Sequence, residues 1–62
     1  MDLGRRIQEL RRGQGLSQER LAEQMAVSRQ AISKWESGGA IPEVDKLIQL
    51  ARLFGVTVDD LL

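Results

Sequence analysis

Sixty-two residues, 42% of them apolar, make one globular domain with room for a single core. Nine basic residues balance nine acidic ones, and neither cysteine nor histidine occurs, so disulfides and the usual zinc sites are excluded and the core must hold without staples. No apolar run approaches the roughly 18 residues of a membrane span, and a start with Asp2 and no apolar stretch does not read as a secretory signal, so a cytoplasmic protein is expected.

Zero net charge argues against a nucleic-acid partner, but its distribution softens that argument. Residues 1–37 hold seven basic and five acidic side chains, a balance of +2; residues 38–62 hold two and four, a balance of −2. What a phosphate backbone feels is the field at the contact face, and that can differ from the total.

In chain order, Leu3, Ile7 and Leu10 recur at helical spacing and predict a first helix over Asp2–Arg12, stopped at Gly13. Arg5, Arg6, Arg11 and Arg12 surround its apolar face. Three later helix starts share one signature. In Leu16-Ser17, Val27-Ser28 and Val56-Thr57 a hydroxyl can cap the first turn, and the apolar residue before it can pack on Leu21, Ile32 or Leu61, five positions on. These predict helices over Gln18–Met25, Arg29–Ser37 and Val58–Leu62. Between them a fourth is predicted over Glu43–Phe54, with Val44, Leu47, Ile48, Ala51 and Phe54 on its apolar face and Pro42 just before it or at its first position. Thr57 and Asp60 have the spacing of a capping box. No segment alternates with period two, so the fold class is all-α without a sheet.

The second and third helices are joined by about three residues, Ala26 to Ser28, so they must cross steeply. Leu21, Ala22 and Met25 can close a core with Val27, Ile32 and Trp35. That leaves Arg29, Gln30, Ser33 and Lys34 on one outward face. Arginine offers a donor fork matched to guanine, and glutamine can donate and accept at adenine. Serine and lysine can reach bases or phosphates. Ser17 and Gln18 open the second helix, where free amides and the positive dipole end favour a phosphate. Each feature also has a plainer reading: a solvated polar face, serines that only cap, Trp35 as core, and Asp59 and Asp60 serving the helix dipole.

The run Ser17-Gln18-Glu19-Arg20-Leu21-Ala22, the run Val27-Ser28-Arg29-Gln30-Ala31-Ile32-Ser33-Lys34-Trp35-Glu36-Ser37-Gly38, then Pro42, Leu50-Ala51 and Gly55-Val56-Thr57-Val58-Asp59-Asp60-Leu61-Leu62 together resemble the Cro/C1-type (XRE-family) helix-turn-helix domain. The resemblance covers essentially the whole chain. It implies a compact five-helix, lambda-repressor-like fold and sequence-specific binding of double-stranded DNA as a prokaryotic or phage transcriptional regulator, in the first place a repressor. It further implies a homodimer on an inverted repeat. By position, base contacts fall on Arg29, Gln30 and Lys34 with Ser33 nearby, and phosphate contacts on Gln18 and Ser28. A largely buried ion pair is implied between Arg11 and Glu36. Many relatives carry basic residues in the loop after the recognition helix. Here Gly38 to Glu43 has none and ends acidic, so backbone affinity is either low or supplied by Arg5, Arg6 and Arg12.

The competing function is a protein-interaction module, such as an antitoxin-type helix-turn-helix domain, motivated by the zero net charge and the uncharged loop. An enzyme is not expected, because no nucleophile–base pair, metal cluster or phosphate loop is present, and no cofactor is expected either. Dimer contacts are expected at the corner of the fourth and fifth helices, around Phe54 to Leu62, where Leu53, Val58 and Leu62 are candidates for exposure. The domain spans 1–62, either as a whole protein or as the N-terminal part of a longer regulator whose remaining part dimerises it.

Overall fold

Four of the five helices begin where the sequence supplies a side-chain oxygen to cap the first turn. The computed structural model describes residues 2–62 and shows five helices: α1 Leu3–Gly13, α2 Gln18–Met25, α3 Arg29–Ser37, α4 Val44–Phe54 and α5 Val58–Leu61. Asp2 caps α1, accepting from the Arg5 N–H at 3.3 Å. The hydroxyls of Ser17, Ser28 and Thr57 accept from Arg20, Ala31 and Asp60 amides at 3.0, 3.1 and 3.1 Å. The box at α5 closes with the Thr57 N–H donating to Asp60 Oδ2 at 3.1 Å. That amide bond first, and the Thr57 hydroxyl second, hold the Asp60 carboxyl below its ordinary pKa. The box therefore contributes above the usual carboxylate range and is lost as pH falls through the lowered value. Glu43 occupies the N-cap of α4 without a side-chain bond.

The four longer helices end alike. A left-handed residue follows, and an amide bonds the carbonyl five residues back: Leu16 to Arg11, Val27 to Ala22, Gly39 to Lys34 and Val56 to Ala51. Gly15, Gly38 and Gly55 take the positive φ at three of these ends, so the turn after α1 pivots on Gly15, whereas the predicted stop Gly13 is its last helical residue. At the fourth, Ala26 adopts φ 56°, which costs a non-glycine residue about 1 kcal/mol. This is the residue that turns α2 into α3.

Ile7, Leu21, Met25, Ile32, Leu50 and Leu61 are completely buried and form one core with Ala22, Trp35, Ala51 and Phe54. Leu16, Val27 and Val56 are partly buried and pack against this core, of which Leu21, Ile32 and Leu61 are members. Helix α4 departs from its predicted face. Leu50, Ala51 and Phe54 point inward, but Val44 and Ile48 are 72% and 41% exposed. The apolar stripe of α4 is wider than the surface available to cover it, so its first two turns turn part of that stripe to solvent.

Three side chains close carbonyl ends of helices other than their own. Arg6 Nε donates to the Asp60 carbonyl at 3.0 Å, Gln14 Nε2 to Phe54 at 3.3 Å, and Lys46 Nζ to Met25 at 3.5 Å. These are orphan carbonyls of the last turns of α5, α4 and α2.

Candidate nucleic-acid interface

The short Ala26–Ser28 turn holds α3 across α2, with Ile32 and Trp35 driven into the core. The opposite side of α3 is therefore outward. Arg29, Gln30, Ser33 and Lys34 are all exposed, and among the described residues none of their side chains makes a hydrogen bond or ion pair. The predicted reading face is presented clear of the body with its donors and acceptors free. Trp35 is core, not a stacking platform.

Beside this face lies an open cleft of about 460 Å³ lined by Arg11, Ser17, Gln18, Glu19 and Arg29. The hydroxyl of Ser17 is engaged with Arg20, and the Leu21 amide with the Ser17 carbonyl. The amides of Gln18 and Glu19 have no partner among the described residues, so the first turn of α2 offers donors toward the cleft, where its dipole favours an anion. Ser28 likewise caps α3 through Ala31.

The cleft is floored by a buried charge network. Arg11 Nε and Nη2 donate to the two Glu36 carboxylate oxygens at 2.7 and 3.1 Å, a bidentate pair whose side chains are only 9% and 4% exposed. Arg11 Nη1 donates to the Leu16 carbonyl at 2.8 Å. Gln18 Nε2 donates to Glu36 Oε1 at 3.1 Å. The expected Arg11–Glu36 pair is present, and Gln18 and Leu16 join it, which no local sequence signal announced. No buried side-chain nitrogen or oxygen among the described residues lacks a partner.

The remaining arginines of α1 divide. Arg5 lies 3.9 Å from Glu9, and Arg6 faces both Glu9 and the Asp60 carbonyl. Arg6 is thus already engaged with α5. Arg12 is exposed and, among the described residues, unpaired, which suits the phosphate contact assigned to it. The loop from Gly38 to Glu43 exposes Ile41, 78% accessible, in place of a cation.

A family profile described as Helix-turn-helix matches residues 7–61. The HTH-type transcriptional activator BcrR of Enterococcus faecalis is 50% identical over 62 residues, all of this chain and 30% of that protein. The HTH-type transcriptional regulator ImmR of Bacillus subtilis is 34% identical over 62 residues, again all of this chain, and 49% of that protein. The chain thus spans between about a third and a half of the length of these relatives. Among solved structures, the restriction-modification controller protein C.AhdI of Aeromonas hydrophila superposes with a TM-score of 0.89 at 30% identity, over 98% of this chain and 92% of that one. The chain belongs to the helix-turn-helix family, in its Cro/C1 (XRE) branch, whose members are transcriptional regulators and not enzymes.

Proposed function

We propose that this domain binds double-stranded DNA sequence-specifically in the cytoplasm, with α3 in the major groove. The observation that carries the reading is the free, exposed Arg29–Gln30–Ser33–Lys34 face on a helix locked to the body by its other side. Arg29 and Gln30 at the start of α3, and Lys34 one turn on, supply base readout, with Ser33 between them. Ser17, Gln18, Ser28 and Arg12 hold the backbone on either side, which sets register without reading sequence. A domain that only occupies DNA acts by occlusion, which favours repression for this domain alone; the activator BcrR is a longer protein.

Selection of random duplexes, followed by titration, tests this. Affinity is expected to fall by orders of magnitude between about 50 and 200 mM salt. The charge reversals Arg29→Glu with Lys34→Glu should lower it at least about a hundredfold while leaving the unfolding transition unchanged. A protein-interaction module would tolerate both reversals and show no salt slope.

The operator is an inverted repeat read by a homodimer in this proposal. Ile41 before α4 and Val44 and Ile48 on its first turns are exposed apolar side chains, and Leu62 is 53% exposed. Leu53 and Val58 are only half-buried, so the expected corner of α4 and α5 keeps apolar surface, and the more exposed Ile41, Val44 and Ile48 with Leu62 extend it toward a second copy. Sedimentation equilibrium should show self-association that Ile41→Asp with Val44→Asp abolishes. A monomer at millimolar concentration would assign dimerisation to chain outside this domain.

A further inference from the structure

Glu36 does more than neutralise Arg11: we infer that it is a positioning residue for DNA binding, fixing the Gln18 carboxamide at the edge of the cleft. The inference rests on the DNA-binding reading above. Both carboxylate oxygens are engaged. Oε2 accepts from Arg11 Nε at 2.7 Å, and Oε1 is shared by Arg11 Nη2 and Gln18 Nε2, each at 3.1 Å. A carboxylate can only accept, so Gln18 must turn its nitrogen toward Glu36, and the flipped amide would set oxygen against oxygen. One amide hydrogen is engaged there. The other is left for a ligand in the cleft that Gln18 lines, beside the unpartnered amides of Gln18 and Glu19.

A glutamine at a helix start is ordinarily free to rotate and loses that freedom on binding. Here the loss is incurred on folding, so the contact is preorganised. The geometry also ties three helices to one carboxylate: α1 through Arg11, α2 through Gln18, and α3 through Glu36 itself. The spacing between a phosphate at the α2 start and the reading face of α3 is then a property of the folded protein rather than of the complex.

The test is a cycle in DNA binding. Arg11→Met with Glu36→Met replaces the ion pair by apolar bulk without changing net charge, and removes the acceptor of Gln18. Affinity for the selected duplex is expected to fall about tenfold. The salt slope should be unchanged, because a neutral amide releases no counterion. Gln18→Ala should cost about tenfold in the unaltered chain and less than about twofold in the paired-methionine chain. An equal cost in both backgrounds would overturn the proposal. Should the paired variant fail to fold, side-chain amide NMR of the unaltered chain decides. The Gln18 NH2 pair is expected outside the unfolded glutamine range, with a cross-relaxation contact to the Glu36 methylenes. Unfolded-like resonances without that contact would overturn the positioning role. Failure of the unaltered chain to bind any selected duplex would instead overturn the DNA-binding reading, leaving the NMR measurement to judge the orientation of Gln18.

Discussion

Arg11→Met is expected to destabilise the domain by about 3–5 kcal/mol, because it leaves the Glu36 carboxylate buried without its counter-charge. A chain of 62 residues holds about 3–9 kcal/mol in all, so much of the population should unfold at 25 °C. The Leu16 carbonyl also loses its donor, which adds to the loss. Glu36→Met should cost a similar amount by stranding the guanidinium. Replacing both together should return stability to within about 2 kcal/mol of the original, since the desolvation of both charges disappears with them. Trp35 is the single tryptophan and is buried, so its fluorescence in a urea titration reports all three variants. If either single substitution costs less than about 1 kcal/mol, the pair contributes only as an exposed salt bridge does, and the lock between α1 and α3 lies elsewhere.

Gly4→Ala is expected to be the second severe change, although alanine is the better helix former and Gly4 lies inside α1. A Cβ there would stand 2.4 Å from the Trp35 carbonyl oxygen, 2.5 Å from that of Glu36 and 2.8 Å from the Glu36 carbonyl carbon. All three are backbone atoms of the last turn of α3, which cannot rotate aside as a side chain would. Either α1 moves off α3, opening the core at Ile7, or the end of α3 unwinds. The expected cost is about 3 kcal/mol or more, at the upper end of overpacking. That corresponds to a midpoint lowered by about 15 °C or more in thermal unfolding. An unchanged midpoint would mean that the approach of the two helices is loose enough to take a methyl group. Gly13, by contrast, has open space around it.

The parts of this fold legible in the sequence are those written locally. Ser17, Ser28 and Thr57 announce helix starts because a cap needs only an oxygen and an amide three residues apart. The outward face of α3 follows from Ile32 and Trp35 being apolar, since the opposite side of a helix has nowhere else to point. What escaped depends on partners distant in sequence. Gly4 looks like a mere penalty until α3 is placed against it. Val44 and Ile48 match the period of the apolar face, but periodicity marks a face and does not say how much of it another helix covers. Arg6 reads as a free cation, while 54 positions away a carbonyl of α5 takes it. Arg11 and Glu36 are 25 residues apart, and only the family resemblance paired them. Nothing local linked either to Gln18.

The side chains that close the carbonyl ends of foreign helices have a further consequence. Because Arg6 covers α5, Gln14 covers α4 and Lys46 covers α2, none of these three ends can fray without giving up a bond to another segment. Opening of α5, α4 or α2 is therefore coupled to a neighbouring segment rather than confined to one helix end. Links of this kind favour a native state that is kept or surrendered as one unit.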